Sequence, residues 1–70
     1  MRKQIDMVTV GKRLRELRGI RTRSGVSKQT SIPYSTLQSY EDGTRVPSSR
    51  NIEILATYYG VPVESIFYTN

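Results

Sequence analysis

Cysteine, histidine and tryptophan are all missing from this seventy-residue chain. Without cysteine there is no disulfide framework, no thiolate zinc site and no thiol nucleophile. Without histidine the commonest general base and the commonest metal ligand are gone. The six carboxylates are scattered along the chain with no metal-ligand spacing. No apolar run approaches the roughly 20 residues of a membrane span. Residues 1–7 (MRKQIDM) contain no signal-peptide apolar region. These gaps argue against a secreted mini-protein, a membrane protein and most enzymes. The expectation is a non-enzyme with no cofactor, no metal and no small-molecule substrate.

What remains is one small domain. A chain this short buries only about 60% of its unfolded surface, so its core is thin. Hydrophobic residues make up 36% and charged residues 24%, with Ile, Leu, Val and Tyr at regular spacing, unlike a disordered tail. The net charge of +5 is unevenly placed. Residues 1–28 carry nine Lys and Arg against two Asp and Glu, a net +7, while residues 29–70 carry two against four, a net −2. A basic half suggests a polyanionic partner, and the bland alternative is a solvated helix face that keeps the chain in solution. A membrane-binding helix would set bulky apolar residues opposite its charges. Residues 11–24 offer only Leu14, Leu17 and Ile20, which a core would claim.

Helical spacing recurs throughout. Val10, Leu14 and Leu17 share one face, which predicts a helix over 9–18 with Thr9 as N-cap and Gly19 as stop. Residues 19–31 are the least legible, and a short helix from Arg23 to Gln29 capped by Thr22 is the reading offered there. Pro33 suits a first helical position, and Tyr34–Tyr40 follow with Leu37 and Tyr40 inward before Glu41, Asp42 and Gly43 end the helix. Pro47 and Ser48 open the next helix, in which Ile52, Leu55, Ala56 and Tyr59 fall at helical spacing until Gly60. A last short helix starts at Pro62 and carries Val63, Ile66 and Phe67. No segment alternates long enough for a strand. The fold expected is all-α, a compact bundle of four to five helices, with residues 1–7 as an N-terminal arm and 8–70 as the domain.

Two short helices joined by a tight turn, with basic residues about them, make a helix-turn-helix. The run IPYSTLQSYEDGTRVPS (32–48) closely resembles the recognition-helix region of the phage-repressor-like family, which includes lambda and 434 repressor, Cro and bacterial XRE-type regulators. Ile32, Thr36, Leu37, Tyr40, Glu41, Gly43 and Pro47 stand in the family's register. The match continues through Ile52, Leu55-Ala56, Tyr59-Gly60-Val61 and Ile66-Phe67, and upstream through Val10 to Leu14 with Leu17-Arg18. The stretch between Arg18 and Ile32 departs from the pattern. It is about two residues short, Val26-Ser27 replaces the usual Leu-Ala pair, Ser31 replaces the turn glycine, and Arg23 falls near the usual Gln.

The resemblance implies roles for individual residues. Tyr34, Ser35, Gln38 and Ser39 occupy the helix face that reads base edges, where Gln pairs with adenine and Tyr packs on a thymine methyl or holds a phosphate. Arg23, Thr44, Arg45 and Arg50 are expected at phosphates. Arg50 in a first turn opposes the helix dipole unless an anion lies close. Arg18 and Glu41 match a structural ion pair between the first and third helices. Arg2 and Lys3 are either an arm following a groove or an ordinary basic terminus. Tyr58, Tyr59 and Tyr68 read as core edge or dimer contact rather than a stacking platform.

The resemblance thus implies a cytoplasmic, sequence-specific regulator of double-stranded DNA, a repressor of phage or mobile-element type. It would act as a homodimer on an inverted repeat with half-sites about 34 Å apart, touching its twin around Val61 to Phe67. A second expectation stays open: an antitoxin, antirepressor or regulatory cofactor that turns the same helices toward a protein.

Overall fold

The computed structural model describes residues 6–67. They form five helices: α1 (Met7–Arg18), α2 (Arg23–Thr30), α3 (Tyr34–Asp42), α4 (Ser49–Tyr59) and α5 (Val63–Phe67). Among the described residues there is no strand, and no helix is long and apolar enough to cross a membrane.

α1 starts earlier than its apolar spacing predicts. Asp6, rather than Thr9, is the N-cap: its carboxylate accepts from the Val8 N–H at 3.1 Å and from the Thr9 hydroxyl at 2.8 Å. The Thr9 hydroxyl, helped by the neighbouring N–H groups and opposed by a little desolvation, holds the Asp6 carboxyl below its usual range. Periodicity misses this first turn because Met7 and Val8 point outward. Asp6 and Met7 therefore belong to the helix and not to the expected arm, whose Arg2 and Lys3 lie outside the described residues, as does Tyr68.

α2 exists where the sequence is least legible. Thr22 caps it, accepting from Gly25 N–H at 3.0 Å, and Val26 buries its side chain in the core. The helix runs one residue past the expected end, because Thr30 is buried and returns its hydroxyl to the Val26 carbonyl at 2.8 Å. It stops at Ser31, whose φ of 62° is the only left-handed value on a non-glycine residue among those described. Hydroxyls brace the turn there. Ser27 Oγ donates to the Ile32 carbonyl at 2.6 Å, and Ile32 N–H donates to Thr30 Oγ1 at 3.3 Å.

The remaining helices follow their signals closely. Pro33 is the N-cap of α3 rather than its first residue, and Gly43 closes the helix in the left-handed region at φ 77°. Ser48 caps α4 and Gly60 ends it. Leu14, Val26, Leu37, Leu55, Ile66 and Phe67 form the centre of one core to which all five helices contribute. α1 packs chiefly on α3. Gly11 permits their contact: a Cβ there would lie 2.6 Å from the Glu41 carbonyl oxygen and 2.7 Å from that of Tyr40. That approach sets where α3 sits, and with it which face it presents.

Candidate nucleic-acid interface

α3 is a nine-residue helix with two different faces. Leu37, Tyr40 and Glu41 are buried, while Tyr34, Ser35 and Gln38 are exposed. Tyr34 leaves 45% of its surface open, a large value for an aromatic side chain on a helix that packs into the core. Ser39 lies at the border, half-buried, and donates its hydroxyl back to the Ser35 carbonyl at 3.0 Å. The face thus offers two hydroxyls and an amide at three free positions, chemistry able to donate to and accept from base edges. No side chain caps the N-terminus of α3, so the positive end of its dipole faces outward uncompensated.

Beneath this face lies an ionic junction. Glu41, only 3% exposed, receives Arg18 Nε at 2.9 Å and Arg18 Nη2 at 3.1 Å on its two oxygens. Arg23 Nε reaches the same carboxylate at 2.9 Å. The sequence reading expects a pair; the structure holds a triad that ties α1, α2 and α3 at one point. Two guanidinium groups against one carboxylate leave one net positive charge. A carboxylate buried this deeply is tolerated because both its oxygens are engaged by charged donors. Arg18 also donates from Nη1 to the Arg21 carbonyl at 2.8 Å, which fixes the α1–α2 turn.

Arg23, expected at a phosphate, is the third member of this junction. Its Nε is engaged by Glu41 at 2.9 Å. The Glu41 carboxylate first, and the nearby Tyr34 hydroxyl second, raise the Arg23 pKa still further. Arg18, Thr22, Arg23, Ser24 and Tyr34 together line an open cleft of about 350 Å³ beside the N-terminus of α3. Thr22 and Ser24 are absent from the sequence-based site. The signal that could have found them is the run Arg21 to Ser24, in which cations alternate with hydroxyls at the start of a helix.

The other expected anion contacts divide. Arg45 and Arg50 are exposed cations, one in the α3–α4 loop and one in the first turn of α4. That turn contains no acidic residue, and Ser48 Oγ accepts from the Asn51 N–H at 3.2 Å. Asn51 Nδ2 also donates to the Tyr40 hydroxyl at 2.9 Å, so the start of α4 is locked onto α3. Arg50 is thus carried on a turn fixed against α3. Thr44 differs: both its N–H and its hydroxyl donate to the Ser39 carbonyl, at 3.0 and 3.2 Å. It closes the C-terminus of α3.

Tyr58 and Tyr59 pack edge to face with ring centroids 5.0 Å apart, and the Arg21 guanidinium lies 5.9 Å from each. Both rest against the core, and burial, followed by the nearby Glu41 charge, pushes the Tyr59 hydroxyl up to about 12. Among the described residues no group of three or more Asp and Glu could hold a metal ion.

Comparison with known proteins agrees with this geometry. Residues 10–66 match a family described as helix-turn-helix domain. No curated protein matches the chain in sequence. Among solved structures, the restriction-modification controller protein C.AhdI from Aeromonas hydrophila is similar at 31% identity and a TM-score of 0.79, covering 89% of this chain and 97% of that one. The DNA-binding domain of BldD is similar at 28% identity and a TM-score of 0.73, covering 89% of this chain and 93% of that one.

Proposed function

Because this chain belongs to the helix-turn-helix domain family, we propose that it is a transcriptional regulator that binds double-stranded DNA by sequence. It lays α3 in a major groove and acts as a repressor, in the cytoplasm, through a homodimer on an inverted repeat. The observation that carries this reading is the exposed face of α3, where Tyr34, Ser35 and Gln38 are open to solvent, as are the cations Arg45 and Arg50 that follow it in the chain. Base edges specify and phosphates position, and this surface has one set of groups for each task. Ser35 and Gln38 read bases near the middle of the half-site, Tyr34 reads at the N-terminal end of α3, and Ser39 adds a contact at the border. The exposed cations hold the backbone, with Arg50 relieved of its unfavourable place in a helix first turn by the phosphate it meets. The likeness to a restriction-modification controller and to a DNA-binding domain supports a regulatory role.

One half-site read by three or four side chains carries little discrimination, so a second copy supplies the rest. Two copies place their α3 helices about 34 Å apart, one turn of DNA. The contact between copies runs through the segment from Val61 to Phe67, where Val61 and Val63 are only partly buried against the core.

The test is selection of bound fragments from sheared genomic DNA at physiological salt, followed by sequencing. Recovery of an inverted repeat with half-sites one turn apart is the expected result. Recovery of unsorted fragments contradicts sequence reading, and no enrichment at all contradicts DNA as the partner and turns the search to a protein.

A further inference from the structure

We propose that Asn51 is a positioning residue for phosphate contact: through the Tyr40 hydroxyl it aims the first turn of α4, and with it Arg50, at the DNA backbone beside α3. This rests on the DNA-binding reading above and names a determinant of affinity within it. The helices are held in two different ways. α3 is fixed by the Glu41 junction and by its close approach to α1 at Gly11. α4 packs chiefly on α5 and α2. Among the described residues, the side-chain hydrogen bond that joins α4 to α3 runs from Asn51 Nδ2 to the Tyr40 hydroxyl, at 2.9 Å. Both ends of it are anchored. Tyr40 is buried with its ring in the core, and the Asn51 N–H donates to Ser48 Oγ at 3.2 Å.

The local sequence explains why an amide stands here. Ser48 is the N-cap of α4 and Asn51 its third residue, where a capping box would have Glu or Gln turned back on its own cap. Asn51 turns instead to the neighbouring helix. A buried tyrosine hydroxyl needs a partner, and an amide supplies one without placing a negative charge near the phosphates. A carboxylate could bridge equally well but would repel the backbone that Arg50 meets. Arg50 is the adjacent residue, exposed in a first turn with no acidic side chain. Its unfavourable place at the positive end of the helix dipole is offset only where the turn is held against a phosphate.

The experiment uses the full chain and the variants Asn51→Ala, Tyr40→Phe and Arg50→Ala, with folding checked by circular dichroism. Tyr40→Phe removes the hydroxyl alone, from a buried ring that does not itself reach DNA. In the free protein, NMR backbone order parameters at residues 49–51 should lie near the roughly 0.85 of rigid backbone in the parent and fall in Tyr40→Phe and Asn51→Ala. Unchanged order in either variant overturns the proposal, and this arm needs no DNA. On selected DNA, Arg50→Ala should weaken binding to all sequences roughly tenfold and flatten the log–log salt slope by about one. Tyr40→Phe and Asn51→Ala should each do much the same, with base preference as in the parent. Arg50→Ala added to Tyr40→Phe should then cost less than about threefold more. A full loss in that background too, or no loss from Arg50→Ala in the parent, overturns the proposal. So does a weakening in Asn51→Ala that Tyr40→Phe does not share, which would make Asn51 itself a DNA ligand. Altered base preference in Tyr40→Phe also overturns it, since the bond would then steady α3 rather than the turn that carries Arg50. Failure of the parent to select any DNA contradicts the functional reading instead, and leaves the order parameters to decide the Asn51–Tyr40 link.

Discussion

Where α1, α2 and α3 meet, a carboxylate and two guanidinium groups occupy the junction; where α4 and α5 meet the rest of the domain, Leu55, Ile66 and Phe67 do, each exposing 1% or less. The apolar junction is closed to water, whereas in the ionic one Glu41 is buried and Arg18 and Arg23 keep 19% and 24% of their side chains exposed; the two hold the chain in different ways. Apolar burial is non-directional and scales with area, so it stabilises without fixing orientation closely. Charge-assisted hydrogen bonds fix angles as well as distances, and burying an ion pair adds little net stability over an apolar packing. The domain thus has directional contacts where α3 meets α1 and α2 and plain burial where α4 and α5 meet the rest. The difference suggests that stability and recognition depend on separate residues and can be separated by mutation.

The largest effect should come from the apolar junction. Phe67→Ala removes the largest fully buried side chain and should cost about 3–5 kcal/mol. In a domain this small that leaves much of the chain unfolded at 25 °C in a urea titration, while the folded fraction keeps its base preference. Glu41→Ala should cost about 3 kcal/mol, since it leaves two arginines with no buried partner. Unlike Phe67→Ala, it should also blur base preference in whatever remains folded. Equal loss of preference in both variants would break the comparison.

Smaller changes sharpen it. Ser31 holds a left-handed conformation that glycine adopts without strain, so Ser31→Gly should raise stability by about 0.5–1 kcal/mol, the relief of strain outweighing the entropy of a freer unfolded chain. Since Ser31 is exposed and lies outside α3, DNA binding should not change. The smallest effect concerns alkaline pH. Burial raises the Tyr59 hydroxyl from 10.0 to about 12. Its contribution to stability is complete below pH 10 and is lost as pH climbs toward 12. Ultraviolet titration should find one tyrosine ionising about two units late, and Tyr59→Phe should abolish that step. The half-exposed ring makes the stability change modest.

How much of this was legible in the sequence depends on what held each element. α3 and α4 were read almost to the residue, because Pro33, Gly43, Ser48 and Gly60 punctuate them and their apolar residues face one core. α1 was started too late, since its first turn exposes Met7 and Val8 and leaves periodicity nothing to register. α2 was the hardest, having Val26 as its single buried apolar side chain; hydroxyls of Thr22, Ser27 and Thr30 hold it instead. For the site, the Arg18–Glu41 contact followed from the family's register. The third member, Arg23, did not, because its distance to Glu41 is set by the shortened path between α1 and α3. The Thr44 contact was illegible for a related reason: only the folded C-terminus of α3 brings the Ser39 carbonyl within its reach.

The central claim is that α3 reads bases with its exposed face while the cations beside it hold phosphates. Binding of Ser35→Ala and Arg45→Ala to a library of single-base operator variants, at several salt concentrations, tests it most directly. Ser35→Ala should relax preference at one base position and leave the salt slope alone. Arg45→Ala should weaken all sequences about equally and flatten the slope by about one unit. Unchanged base preference in Ser35→Ala would contradict the placement of α3 in the groove.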